Sequence, residues 1–190
     1  MTFSALLDTC VLVPSVLRDL LELGTGPAYR PVWSDRIENE LRQTIVELRA
    51  RRGRDPEETQ AYVTRLLHQM NTALPDARAT VEPGSEETVS GLPDPDDNHV
   101  VAAAVAGRAD VVVTFNLRDF PDDVLPGQLF SQSPDDFLLD LWGLYPALID
   151  DAIEKILQRT GRRGPRWTRT ELLDRLSREQ VPGFATLAAS

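Results

Sequence analysis

Residues 94–115, DPDDNHVVAAAVAGRADVVVTF, run from an acidic loop into an alanine-rich helix and on into an apolar strand. Asp96 or Asp97 is placed to cap that helix, because an aspartate accepts hydrogen bonds from the free N–H groups of a first turn. Gly107 is placed to close it. DVVVTF (110–115) is short, β-branched and apolar, as suits a central strand of a parallel sheet. A second such run, FSALLDTCVLV (3–13), holds one aspartate and reads as a buried strand ending near Asp8.

Between these runs the chain alternates helix and strand. Pro14 opens a helix to about Leu23, which the Gly24/Gly26 pair stops, and PVW (31–33) forms a short strand. SDRIENELRQTIVELRARRG places Ile37, Leu41, Ile45 and Leu48 at helical spacing, with Asp35 and Glu38 as a capping box. DPEETQAYVTRLLHQMNTAL repeats the device with Asp55, Pro56 and Glu58, and ATVEP (79–83) is a further strand. Strands separated by helices imply βαβ units, hence a three-layer α/β/α sandwich on a mostly parallel sheet. No strand is read after Phe130. Residues 131–190 form a helical extension with caps at Ser133 and Thr168 and an exposed loop at RRGPRW (162–167), so the expected division is 1–130 and 131–190.

Bulk properties exclude several classes. A net charge of −10 argues against a general nucleic-acid coat. Cys10 is the single cysteine, which excludes an internal disulfide and an all-cysteine zinc site. No apolar run is long enough to span a bilayer and no signal peptide is apparent, so a cytoplasmic location is expected. Residues 155–169 (KILQRTGRRGPRWTR) gather Lys155, Arg159, Arg162, Arg163, Arg166 and Arg169 without an acid. That stretch could steer RNA, hold an acidic partner or stay solvated; Trp167 could stack on a base or anchor its own loop.

The acids concentrate at one place in this fold. Asp8 ends the first strand, Asp96 and Asp97 open a helix, and Asn116 and Asp119 follow the 110–115 strand. Ligands of open parallel sheets collect beyond the carboxyl ends of strands. Glu40, one turn into its helix, can face the same point. Carboxylates without histidine or cysteine partners suit a hard cation such as Mg²⁺ or Mn²⁺, which would relieve their repulsion and could activate water.

The order LLDTCVL, then ENEL, then DPDDNHVVAAAVAGRADVVVTFNLRDF resembles the PIN-domain family, closest to VapC-type toxin ribonucleases of a longer subgroup with a helical C-terminal extension. The resemblance covers about residues 3–120. It implies Asp8, Glu40, Asp97 and Asp119 as metal ligands, with Asn116 assisting where many relatives carry aspartate. It also implies Thr114 near the scissile phosphate and Thr9 supporting Asp8. The implied reaction is Mg²⁺- or Mn²⁺-dependent hydrolysis of RNA to 5′-phosphate and 3′-hydroxyl ends. The implied partners are RNA, an antitoxin that inserts an arginine among the carboxylates, and a second copy of the chain.

Blander readings stand beside these. Asp8 could satisfy backbone donors, Asp96 or Asn98 could serve as a cap, and Asn116 and Asp119 suit a turn. His99 either contacts substrate or packs at its helix base. Cys10 and His68 read as structural. A phosphatase of the haloacid dehalogenase type would need an aspartate where Cys10 stands, and a dinucleotide module would need a glycine-rich first turn. A PIN-fold RNA-binding or interaction module with little or no catalysis is the alternative function.

Overall fold

The computed structural model describes residues 3–161 and 164–189. The first apolar run splits in two. Ser4–Leu7 form β1, with all four residues buried, and the backbone turns at Asp8 into a short helix α1, Thr9–Leu12. α2 follows at Ser15–Leu23, with Pro14 in extended conformation just ahead of it. β2 is Arg30–Ser34 and α3 is Asp35–Arg51. Ser34 caps α3, its side chain accepting the Ile37 N–H, where Asp35 was the expected cap. Two capping residue types stand side by side, and the strand runs on through Ser34, which leaves Ser34 in the extended conformation a cap requires.

Asp55 accepts the Glu58 N–H at 2.8 Å and opens α4, Pro56–Ala73. β3 is only Arg78–Ala79, so the expected 79–83 strand contributes one residue. Gly84, at φ 83°, leads instead into a 3-10 turn at Ser85–Thr88. α5 covers Asn98–Ala106 and β4 covers Val111–Val113. A fifth strand, β5, Phe130–Gln132, pairs in parallel with β4. It was not expected, because three residues carry no readable period.

The sheet order is β3-β2-β1-β4-β5 and every pairing is parallel. Leu6 lies between Val32 on one side and Val112 on the other. β1 and β4 are buried throughout, which requires helices over both faces of the sheet. α5 spans β2, β1 and β4 on one of them. This is a PIN-like α/β/α sandwich.

Four further helices follow among the described residues: α6, Pro134–Leu144; α7, Pro146–Arg159; α8, Arg169–Arg178; and α9, Pro182–Leu187. Ser133 caps α6, and Thr168 with Glu171 forms a reciprocal capping box on α8. The Asp135 carboxylate accepts the Gly183 N–H at 2.9 Å and the Phe184 N–H at 2.7 Å, so α6 supplies the cap of α9. Arg169 pairs with Asp150 at 2.7 Å and donates to the Ala188 carbonyl at 3.2 Å. Glu179 Oε2 accepts the Leu17 N–H at 2.9 Å, fastening the end of α8 to the first turn of α2. Tyr29 meets the Phe137 ring edge-on at 5.0 Å, and one cluster of buried apolar residues runs from Ala5 to Ala188. Among the described residues no helix is long and apolar enough to cross a membrane.

Candidate active site

The chain leaves β1 toward β2 and β3, then returns to β4 on the other side of β1. The crevice between the carboxyl ends of β1 and β4 is therefore the switch point of the sheet, the place where such folds take ligands. Asp8 follows β1 there and Thr114 follows β4.

Asp8 is buried, at 7% exposure. Its Oδ2 accepts from Thr114 Oγ1 at 2.7 Å and from the Cys10 thiol at 3.1 Å. Cys10 in turn accepts the Phe115 N–H at 3.3 Å, and Thr114 Oγ1 accepts the Asn116 N–H at 3.0 Å. One carboxylate oxygen is thus held from both strand ends, while Oδ1 receives no hydrogen bond from any described residue. Burial, and then the charge of Asp8, pushes the Cys10 thiol up to about 12, so it stays a protonated donor. Cys10, expected as a core residue, instead turns its thiol onto Asp8, which nothing in its spacing marks.

Glu40 is held separately. Thr9 Oγ1 donates to Glu40 Oε2 at 2.9 Å, so Thr9 supports Glu40 where it was expected to support Asp8. α1 turns away from β1 immediately after Asp8 and carries the Thr9 hydroxyl toward α3. Arg36, one turn earlier on α3, lies 3.6 Å from Glu40 Oε1 and pairs also with Glu86. His99 Nε2 lies 2.9 Å from Glu40 Oε1, and His99 Nδ1 lies 2.8 Å from the Asp96 carbonyl. Both of these oxygens only accept, so an imidazolium suits the pair, although Nε2 lies close to Glu40 without the alignment of a hydrogen bond. Burial works against that charge, but the Glu40 contact and the Asp96 carbonyl outweigh it and raise the His99 pKa. The same contact, with Thr9 and Arg36, lowers Glu40 against its own desolvation.

Asp97 stands at the foot of α5, half-buried, and its side chain makes no cap bond. Burial, followed by the charges of Asp8, Asp119 and Asp94, raises its carboxyl to about 6. Asp94 is an acid the sequence reading did not single out; it accepts the Asp96 N–H at 2.9 Å. Asp119 closes a 3-10 turn after β4, half-buried, and donates its N–H to the Asn116 carbonyl at 2.9 Å. Asn116 is exposed. Asn98 donates to the Val89 carbonyl at 3.3 Å.

The aspartates act on one another through charge rather than contact. Among the described residues, no three His, Cys, Asp or Glu side chains are gathered tightly enough to hold an ion by themselves. Mg²⁺ does not require such a cage, since it keeps several waters and binds through one or two carboxylates together with substrate phosphates. An all-oxygen donor set with unrelieved repulsion is chemically suited to that ion.

The basic stretch is dispersed. Arg169 is committed to Asp150, Glu154 and Ala188. Arg159 lies within the field of Asp19 and Glu22. Arg166 is exposed, and Arg162 and Arg163 lie outside the described residues. Trp167 is half-buried with the Arg175 guanidinium 4.4 Å from its ring, which anchors the loop.

Residues 4–118 match the family described as PIN domain, and residues 134–190 match the VapC50 C-terminal domain. A protein of Mycobacterium tuberculosis (strain ATCC 25618 / H37Rv) named "Putative ribonuclease VapC50" is 46% identical over 97 residues, which are 48% of this chain and 53% of that protein. The chain thus spans about half the length of the curated relative it matches. No solved structure matches it. With the strand order, the aspartates around the β1/β4 crevice and these two matches in hand, the chain belongs to the PIN-domain family, in its VapC type with a C-terminal extension.

Proposed function

We propose that this protein is a Mg²⁺- or Mn²⁺-dependent endoribonuclease and the toxin of a toxin–antitoxin pair. The observation that carries the reading is the gathering of Asp8, Asp97 and Asp119 about the β1/β4 switch point, where burial and the charges of Asp8, Asp119 and Asp94 raise the Asp97 carboxyl. Negative charge concentrated at a switch point is unfavourable alone and favourable once a cation arrives. Asp8 and Asp97 would hold the ion, with Asp119 and Glu40 completing its surroundings. When bound, the ion would supply positive charge for a phosphoryl oxygen and lower the pKa of a water.

The chain's own groups do the rest. Thr114 and Cys10 fix Asp8 through Oδ2, so Oδ1 is the oxygen that would meet the ion. Thr9, His99 and Arg36 fix Glu40. Asn116, exposed beside Thr114, would touch the substrate backbone. The name of the relative, matched over about half its length, supports RNA as substrate. A cytoplasmic location, an antitoxin, a homodimer, a boundary near residue 130 and RNA contact by Arg166 belong to the same proposal.

The test compares wild type with Asp8→Asn and Asp97→Asn on total RNA, with Mg²⁺ or Mn²⁺ and with EDTA. Metal-requiring cleavage that falls at least about 100-fold in both variants, about 2.7 kcal/mol of transition-state stabilisation, supports a nuclease site. No cleavage by folded, antitoxin-free wild type would replace this reading with a binding module.

A further inference from the structure

Away from the acids, α3 and α8 both end in arginine. Arg49 and Arg52 stand at the close of α3, and Arg175 and Arg178 at the close of α8. A cation in a last turn is favoured by the helix dipole, so either pair alone would be ordinary. Here the two helix ends meet. All four arginines line one groove of about 590 Å³, together with Tyr62 and the α1–α2 junction, and the Arg175 guanidinium also lies 4.4 Å from the centre of the Trp167 ring. None of the four is ion-paired among the described residues. Arg49 donates to Thr59 Oγ1 at 3.1 Å and lies 4.7 Å from the centre of the Tyr62 ring. Arg178 donates to the Asp174 carbonyl at 3.1 Å.

The groove has one acid, Glu179, whose Oε2 is committed to the Leu17 N–H. Four like charges in one groove of a chain with net charge −10 repel one another and call for a polyanion. An adjoining groove shares Tyr62 but mixes Arg65, Lys155 and Arg159 with Asp19 and Glu22, so the larger excess of positive charge lies in the smaller one.

We infer that the four-arginine groove binds the sugar–phosphate backbone of single-stranded RNA, and that α8 thereby gives the C-terminal helices a substrate-gripping role. The assignment rests on the ribonuclease reading for its connection to the acids. Val13 and Pro14 wall the groove, and Val13 closes the helix that starts beside Asp8. The five residue steps from Asp8 to Val13 along this helix rise about 7–8 Å. A strand held at Asp8 therefore reaches the groove within a few nucleotides. Guanidinium forks match phosphate oxygens bidentately, and Tyr62 offers an aromatic surface of the kind on which bases stack.

The test measures the anisotropy of a fluorescein-labelled single-stranded RNA of about 20 nucleotides, in EDTA so that binding is read without cleavage. Arg52→Glu and Arg178→Glu are each expected to weaken binding at least about fivefold and to reduce the salt slope by about 1. Arg52→Lys and Arg178→Lys retain most of the affinity. Arg108→Glu, outside the groove and equal in charge change, shifts it less than about twofold. If a Glu variant unfolds, Arg52→Gln reads the same contact without charge reversal.

Unchanged affinity in both groove variants overturns the assignment, as does an equal loss in Arg108→Glu. Groove-dependent binding of an oligoglutamate peptide with groove-independent binding of RNA overturns it as well. The two readings fail separately. Cleavage lost in Asp8→Asn with full RNA binding by the groove variants removes only the groove. Groove-dependent binding without wild-type cleavage removes only the nuclease.

Discussion

His99 is clamped between two acceptors, 2.9 Å from the Glu40 carboxylate and 2.8 Å from the Asp96 carbonyl. When protonated it supplies a positive charge inside an acidic region from the chain itself, and its contacts join α3 to the start of α5. His99→Ala should cost about 1–2 kcal/mol, given that Glu40 is partly open to solvent. The His99 pKa is raised above 6.5, so its stabilisation is complete below about 6.5 and is lost as pH climbs through the folded value. The Glu40 pKa is lowered below 4.5, so its share is present above about 4.5 and is lost as pH falls through the folded value. Urea unfolding of wild type and variant should differ most at about pH 5–6, with the gap narrowing in alkali.

Asp97 carries the opposite sign. Its folded carboxyl is raised from 3.8 to about 6, so at neutral pH ionisation opposes folding, and stability increases as pH falls from 6 toward 3.8. Asp97→Asn should therefore stabilise the fold at pH 7 by about 1–2 kcal/mol after solvent screening, and the gain should fade below pH 4. Thermal melts with and without Mg²⁺ check both this and the metal proposal. Added Mg²⁺ should raise the wild-type Tm and leave that of Asp97→Asn in place. An Asn variant less stable than wild type at pH 7 would contradict the electrostatic picture.

Cys10 should be nearly inert in the native state. With its thiol pushed from 9.0 to about 12, the thiolate fraction at pH 8 drops by about 1000-fold relative to the unfolded chain. Ellman's reagent should label native protein at a correspondingly low rate and denatured protein at once. Rapid native labelling would show that the Cys10–Asp8 contact does not persist.

Gly107 offers a packing test far from the acids. Its φ of −80° suits any residue, but an added Cβ would press into Val32 Cγ1 and stand 3.1 Å from the Ala103 carbonyl. Val32 is fully buried in the sheet and has no room to yield. Gly107→Ala should cost about 2 kcal/mol, or about 4–8 °C in Tm, measured by calorimetry.

The features legible in the sequence were those that obey short-range rules. Asp8 could be placed because an apolar run stops there, and Val111–Val113 because β-branched residues cluster. Asp55, Ser133 and Thr168 could be placed because caps recur three residues ahead of an acid or its N–H. Ser34 and Asp35 both fit the cap pattern of α3, and only the length of β2 decided between them. β5 is too short to carry a signal. The Cys10 thiol on Asp8 depends on the direction in which α1 leaves the strand, which no spacing encodes. The arginine groove was hidden for a different reason. Arg52 and Arg175 are distant in sequence, and the run that looked basic, 155–169, is partly neutralised by Asp150 and Glu154.

The C-terminal helices are fastened chiefly to themselves, through Asp135 on α9 and Arg169 on α7 and α9, and they reach the rest through Glu179 on α2 and a shared apolar face. The carboxylates all come from residues before 120, whereas one wall of the groove comes from α8. On the proposed activity and the proposed groove, chemistry and grip would be separable in inheritance. A lineage that exchanged the segment after residue 133 as a cassette would then alter which strands are seized and leave the acidic crevice as it was.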